Sequence, residues 1–174
     1  MTSDAGRGPL VFAIGGARSG KSAFAEARVT AAPAPWLYIA TAQAFDDEMS
    51  ARIATHRSRR GEGWRNVEAP HDLAQAVRDA PAAAPMLVDC LTLWLSNRLL
   101  AEADLARESA ELIAALQARD GLTVVVANEV GLGIVPDNAL ARRFRDEAGR
   151  LHQSVAACAD EVHLIVAGLS IRAK

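Results

Sequence analysis

The chain has 174 residues and a mass of 18.4 kDa, which favours one domain over two and allows a substantial buried core. Its apolar fraction of 51% and charged fraction of 23% are those of a folded globular protein, and they exclude a wholly disordered chain. The net charge of −2 lacks the basic excess of nucleic-acid-binding proteins and argues against a polyanion as the main partner. Among 19 basic residues, only Lys21 and Lys174 are lysines.

The cysteine content and the absence of long apolar runs indicate an intracellular protein. Cys90 and Cys158 are too few for a disulfide framework or a zinc site, and we expect both to be buried thiols. Residues 1–9 form a polar lead-in without the apolar core of a signal peptide, and no apolar run approaches the roughly 18 to 20 residues that span a bilayer. We therefore expect a cytoplasmic protein without a membrane span, with a single domain over residues 10–174.

Short apolar runs alternate with longer alanine-rich segments along the chain. The predicted strands are residues 10–14, 36–40, 64–68, 86–89, 122–127 and 162–167. The predicted helices are residues 20–32, 45–60, 71–80, 91–119 with a break, and 137–159. Because several strands are apolar without alternation, both of their faces should be covered. This order predicts an α/β fold with a mostly parallel sheet and helices on both faces.

A phosphate-binding loop directly follows the first predicted strand. The segment Gly15-Gly-Ala-Arg-Ser-Gly-Lys-Ser22 matches the pattern G-x-x-x-x-G-K-[ST]. Glycines let the backbone wrap around phosphates, a lysine reaches the β- and γ-phosphates, and a serine hydroxyl ligates Mg²⁺. The alternative is a glycine-rich turn with a surface lysine. We expect these residues to bind a nucleoside triphosphate: Gly15, Gly16, Ala17, Arg18, Ser19, Gly20, Lys21 and Ser22.

Two acidic residues end predicted strands and are candidates for the same site. Asp89 closes the strand 86–89, where a carboxylate can hold Mg²⁺ through its water shell. Its alternative role is to cap the helix that starts at Leu91. Glu68 closes the strand 64–68 and could serve the metal or a nucleotide hydroxyl, or be only a solvated strand end.

A predicted amphipathic helix over residues 45–60 carries a histidine among arginines. Arg52 and His56 are four residues apart and share one face, and Arg59 and Arg60 follow on the next turn. Neighbouring guanidinium groups keep an imidazole neutral, so that it can attack phosphorus while they hold the phosphate oxygens. On composition alone, a solvated helix with His56 as a bystander is the favoured interpretation. The other histidines, His71, His152 and His163, are expected to be structural.

A series of motifs in order carries a resemblance that covers about residues 10 to 172. Beyond the phosphate loop these are Tyr38-Ile-Ala-Thr-Ala42, Asp46-Asp-Glu-Met49, Arg52-Ile-x-x-His56, Trp64-Arg65 followed by Glu68, Asn128-Glu-Val-Gly-Leu-Gly-Ile-Val-Pro136, Leu140-Ala-Arg-x-Phe-Arg-Asp146 and Gly149-Arg150. The chain resembles the bifunctional adenosylcobinamide kinase/adenosylcobinamide-phosphate guanylyltransferase family of coenzyme B12 synthesis, within the RecA-like phosphate-loop proteins.

The resemblance implies two reactions. The family phosphorylates the aminopropanol hydroxyl of adenosylcobinamide and then transfers GMP from GTP onto that phosphate, with release of pyrophosphate. It implies GTP and ATP as substrates, Mg²⁺ as cofactor and a homotrimer. The guanylylated histidine corresponds to His56, which reverses the interpretation from composition. Nucleotide contacts carry over to Gly15–Ser22, Ala40, Thr41, Ala42, Arg57, Ser58, Arg59, Arg60, Glu68 and Asp89.

Two other functions stay open at this point. One is a small-molecule kinase that lacks the guanylyl transfer step. The other is a non-catalytic GTP switch, although the chain lacks an obvious Asn-Lys-x-Asp motif for reading guanine. The segment Asn128–Pro136 is expected to form a loop at the carboxyl edge of the sheet, bordering the corrinoid or a second subunit.

Overall fold

The computed structural model describes residues 6–43 and 61–174, in which seven strands and five helices are found. The strands are β1 (Leu10–Gly15), β2 (Trp36–Ala40), β3 (Trp64–Glu68), β4 (Met86–Asp89), β5 (Thr123–Asn128), β6 (Glu161–Val166) and β7 (Leu169–Arg172). The helices are α1 (Lys21–Thr30), α2 (Leu73–Asp79), α3 (Leu91–Leu100), α4 (Leu105–Gln117) and α5 (Ala139–Cys158).

All seven strands belong to one sheet, in the order β3-β2-β4-β5-β1-β6-β7. Every neighbouring pair is parallel except β6 and β7, which pair antiparallel as a hairpin. The strand β1 therefore lies inside the sheet, with β5 on one side and β6 on the other. In a parallel sheet of this kind the carboxyl ends of the strands share one edge, which is where ligands bind.

The sheet has an apolar layer on each face because side chains alternate along every strand. Leu10 and Phe12 of β1 pack into the larger layer, together with apolar residues of α2, α3, α4 and α5. Val11 and Ala13 pack into the other layer against Ala25 of α1. Helices on both faces of a mostly parallel sheet confirm the predicted fold class.

The six strands predicted from sequence are all present, with their ends displaced by at most one residue. The predicted helices are also present where the structure describes them, and the break in the fourth falls before Asp104, whose carboxylate caps α4 through the amide of Arg107 at 3.1 Å. The helix predicted over 45–60 lies outside the described residues. The final strand β7 was not predicted from sequence.

Two further expectations concern the cysteines and a membrane span. Cys90 is buried, but Cys158 is only half-buried at the end of α5, so the prediction of two buried thiols is wrong for the second. Among residues 6–43 and 61–174, we find no helix with the length and apolar character that a membrane span requires.

Candidate nucleotide site

The predicted phosphate loop connects β1 to the first turn of α1 at the carboxyl edge of the sheet. Its backbone is tied to the neighbouring strands, since the amide of Gly168 donates to the oxygen of Ser19 at 2.7 Å and the amide of Glu129 donates to that of Gly15 at 2.9 Å. Within the loop, the amide of Ser19 donates to the oxygen of Gly16 at 3.3 Å. The loop is thus held in place by the β6–β7 turn and by the chain that leaves β5.

Two loop glycines are required by the fold. Gly20 precedes α1 with a φ of +102°, in the left-handed region, and a Cβ there would lie 3.0 Å from the Cα of Gly168. Gly15 has no room for a side chain, because a Cβ would overlap the main-chain oxygen of Ile165 in β6. The glycine pattern of the motif therefore follows from close backbone packing around the loop.

Replacing Gly15 with Ala is expected to lower the free energy of unfolding by about 1–3 kcal/mol, because the new methyl group must push β6 away from β1. Gly16→Ala is the matched control, since a Cβ at Gly16 meets no atom within 4 Å. The comparison is made by denaturant unfolding of both variants. Equal stability of the two would show that the packing at Gly15 is not tight.

Lys21 is the first residue of α1 and is buried, with only 7% of its surface exposed. Its ammonium lies across the loop, with Nζ donating to the oxygen of Gly16 at 2.6 Å and lying 3.4 Å from Oγ of Ser19. Burial lowers the pKa of Lys21, while the neighbouring Cys90 and Asp89 act in the opposite direction. A buried ammonium aimed across a loop is suited to hold phosphate oxygens, which excludes the interpretation of Lys21 as a surface residue.

Asp89 ends β4 and is half-buried near Lys21. The hydroxyl of Tyr38 in β2 donates to its Oδ2 at 2.7 Å, which fixes the direction of the carboxylate. Helix α3 is capped at Cys90 rather than at Asp89, so the alternative role of Asp89 as a helix cap is not what the fold uses. Burial raises the pKa of the Cys90 thiol, and the negative charge of Asp89 raises it further.

The residues at this place fit a bound Mg²⁺. Mg²⁺ prefers hard oxygen ligands and is held in such enzymes by one or two protein oxygens together with substrate phosphates and water. Ser22 follows Lys21 in the first turn of α1, and its half-buried hydroxyl makes no hydrogen bond within the described part of the chain. The Oδ1 atom of Asp89 is likewise without a hydrogen bond to the described residues, so both predicted ligands have an oxygen available.

The segment Ala40–Ala42 follows β2 along the same edge. Thr41 is fully buried, and its hydroxyl donates to the oxygen of Cys90 at 2.7 Å and accepts from the amide of Cys90 at 2.8 Å. Its side chain is therefore committed to the end of β4, while Ala40 and Ala42 are half-buried. The predicted nucleotide contacts of this segment stay predictions, and the structure assigns Thr41 an additional role in fixing the chain after Asp89.

The predicted site residues fall into two groups in the described structure. The loop residues and Asp89 come together around Lys21. Glu68 lies further along the edge, exposed at the end of the outer strand β3. The predicted residues His56, Arg57, Ser58, Arg59 and Arg60 lie outside the described residues. Tyr38 reaches this group through its hydrogen bond to Asp89, and from sequence it stood out only as part of the motif Tyr38–Ala42, because it occupies an otherwise apolar strand.

A strand, a glycine loop with a buried lysine, a helix and a carboxylate at the end of a nearby parallel strand define a phosphate-loop nucleotide-binding protein. A solved structure of an ATPase from the type III secretion system of pathogenic bacteria has the same fold, with a TM-score of 0.54 at 12% identity. The match covers 95% of this chain and 57% of that one. At this identity the likeness concerns the fold alone.

Sequence comparison identifies the family. The profile of cobinamide kinase / cobinamide phosphate guanyltransferase matches residues 11–173, so the chain belongs to this family of bifunctional enzymes. It is 48% identical to the bifunctional adenosylcobalamin biosynthesis protein CobP of Pseudomonas aeruginosa, covering 92% of this chain and 95% of that protein. It is 42% identical to the bifunctional adenosylcobalamin biosynthesis protein CobU of Salmonella typhimurium, covering 95% and 99%. The resemblance noted from the motifs is confirmed.

Proposed function

We propose that the chain carries out both family reactions around the one phosphate loop, with GMP carried on His56 between GTP and the acceptor. The kinase and guanylyltransferase activities belong to the family, and the assignment of steps to residues is the proposal. The observation that carries it is the buried Lys21, which faces the phosphate loop with Asp89 close by.

In the kinase step, the aminopropanol hydroxyl of adenosylcobinamide attacks the γ-phosphorus of a nucleoside triphosphate, and the bond to the β-phosphate oxygen breaks. Negative charge builds up on the oxygens of the transferred group and of the leaving diphosphate. Lys21 and the loop amides donate hydrogen bonds to these oxygens. Mg²⁺, held by Ser22 and Asp89, supplies further charge neutralisation when bound.

In the guanylyl transfer step, an imidazole nitrogen of His56 attacks the α-phosphorus of GTP. The bond to the β-phosphate oxygen breaks, and pyrophosphate leaves with that electron pair. The phosphate oxygen of cobinamide phosphate then attacks the same phosphorus and displaces the histidine, which yields adenosyl-GDP-cobinamide. Splitting the transfer in this way predicts ping-pong kinetics.

The proposal includes the substrates and the assembly that the family resemblance implies. The substrates are adenosylcobinamide, adenosylcobinamide phosphate, GTP and ATP, and the chain assembles as a homotrimer in the cytoplasm. A chain of 174 residues has limited surface on which to bury a corrinoid, so the proposal includes a site completed by a second subunit. Leu132 and Ile134, which are 88% and 98% exposed in the segment after β5, are candidates for such a contact.

Turnover of adenosylcobinamide tests the proposal against its alternatives. The protein is incubated with adenosylcobinamide, Mg²⁺ and either ATP or GTP, and the corrinoid products and pyrophosphate are quantified. We expect cobinamide phosphate with either nucleotide, and GDP-cobinamide only when GTP is present. Cobinamide phosphate as the final product would favour a kinase without the transfer step, and stable GTP binding without any product would favour a switch.

A further inference from the structure

One face of helix α3 holds together the chain segments that follow β2 and β3. Trp94, Asn97 and Arg98 are spaced three and four residues apart, so they lie on the same side of the helix. Each of them donates a hydrogen bond to residues after one of these two strands. We call this set the α3 clamp. It contacts neither Lys21 nor the phosphate loop through any hydrogen bond among the described residues.

Asn97 is the buried centre of the clamp, with 7% of its surface exposed. Its side-chain amide donates one hydrogen bond to the oxygen of Thr41 at 2.9 Å and the other to the oxygen of Pro70 at 3.0 Å. Both amide protons are therefore used, one on each segment. Because these carbonyl groups are buried or half-buried, losing the donor would leave two acceptors unsatisfied, which is costly.

His71 connects the clamp to the end of the β2 segment. Its main-chain oxygen accepts a hydrogen bond from Nε1 of Trp94 at 2.9 Å, and its Nδ1 lies 3.3 Å from Nη1 of Arg98. A guanidinium group can only donate, so Nδ1 of His71 is the acceptor in this contact. Nε2 of the same ring lies 2.9 Å from Nε2 of the Gln43 side-chain amide.

This contact joins the two segments through side chains. Gln43 lies in the segment that follows β2, and His71 lies in the segment that follows β3. A chain of side-chain contacts therefore runs from Arg98 through His71 to Gln43.

The other end of this chain is held by a salt bridge. Arg98 donates two hydrogen bonds to the carboxylate of Glu108 in α4, at 2.7 and 2.8 Å. These hydrogen bonds lower the pKa of Glu108. With both side chains mostly buried, at 20% and 15% exposure, the guanidinium has little freedom to move. Helix α4 thereby fixes the direction in which Arg98 points at His71.

We propose that Asn97 and His71 are positioning residues for the nucleoside end of the nucleotide. The phosphates lie at β1, and the sheet order places β2 and β3 three and four strands away along the same edge. Residues 40–42 and Glu68 therefore contact the part of the nucleotide remote from the γ-phosphate. The clamp sets the spacing between these two segments. The inference rests on the proposed function, because it takes these segments as nucleotide contacts.

The first test replaces Asn97 with Asp, which keeps the shape but removes both donors. We expect the KM for GTP to rise by about tenfold, because the two segments lose the donor that they share, while kcat falls less than about threefold. Leu112→Val in α4 is the control, because Leu112 is a fully buried core residue and its apolar side chain makes none of the hydrogen bonds of the clamp. The proposal would be overturned if Leu112→Val lowered the Tm as much as Asn97→Asp and raised the KM by a similar factor. An unchanged KM for Asn97→Asp would overturn it as well.

A second pair of variants covers the case in which Asn97→Asp does not fold. His71→Ala removes the contacts to Arg98 and Gln43 and should raise the KM for GTP, whereas His71→Gln restores a polar group toward Gln43 and should recover most of the loss. Equal KM values for the two variants would contradict a positioning role. Failure of the proposed function can be told apart from failure of this inference. If the proposed function is wrong, the wild-type protein itself forms no GDP-cobinamide. Direct binding of fluorescent GTP would still compare the affinities of the variants in that case.

Discussion

Lys21→Arg is expected to lower the rates of phosphoryl and guanylyl transfer by at least about 100-fold, although the charge is retained. The ammonium of Lys21 is buried and lies 2.6 Å from the oxygen of Gly16. A guanidinium group is larger and planar, so it cannot replace this compact charge against the phosphates. Steady-state rates at saturating GTP and cobinamide phosphate measure the effect on the second reaction, and rates with cobinamide and ATP measure the effect on the first.

The chain offers a matched control in its other lysine. Lys174 is exposed at the end of the chain, where its ammonium donates to the main-chain oxygens of Ala156 and Ala157 at 3.1 Å each. Lys174→Arg should therefore leave both rates unchanged. Kinase activity of Lys21→Arg at the wild-type level would refute the assignment of Lys21 to the phosphates.

Asp89→Asn is expected to lower both rates by at least about 100-fold and to raise the Mg²⁺ concentration required for half-maximal activity, because an amide is a poor ligand for a hard cation. The amide has the same shape as the carboxylate and can still accept the hydrogen bond from the hydroxyl of Tyr38. The measurement is a Mg²⁺ titration of the kinase rate at fixed nucleotide.

Tyr38→Phe separates the charge of Asp89 from its orientation. It removes the hydrogen bond of 2.7 Å but keeps the carboxylate, so the rates should fall less than in Asp89→Asn, by about tenfold, the lower end of the value of one such hydrogen bond to a charged group. An Asp89→Asn variant with the Mg²⁺ dependence of the wild type would show that this carboxylate does not act on the metal.

The fold could be predicted from sequence because the strongest patterns are local. The apolar runs of β1, β2 and β4 are uninterrupted, and the segments between the strands show the apolar spacing of helices. The parallel sheet is predicted because strands and helices alternate along the chain. The strand β7 was missed for a physical reason. Leu169–Arg172 alternates apolar and polar residues, but it is only four residues long and all four are exposed, so no buried face marks it as a strand. Its pairing with β6 comes from the tight turn between them.

The site was predictable to the extent that it follows a motif or the end of a strand. The convergence of the phosphate loop and Asp89 around Lys21 follows from such patterns, and their nucleotide and metal contacts stay predictions. The contacts of Asn97 and His71 were not predicted, because they join residues distant in sequence: Asn97 reaches Thr41 across 56 positions and Pro70 across 27. A polar residue inside the largely apolar helix α3 was the available signal, since a buried asparagine must find partners for its amide.

The most direct test of the proposed account is covalent labelling with GTP that carries ³²P at the α-position. We expect one acid-labile, hydroxylamine-sensitive label on each chain, located on His56 by peptide mapping and absent from His56→Ala, with that variant still able to make cobinamide phosphate. Label of the same kind on His56→Ala, or GDP-cobinamide formed without any labelled protein, would contradict the histidine-linked transfer.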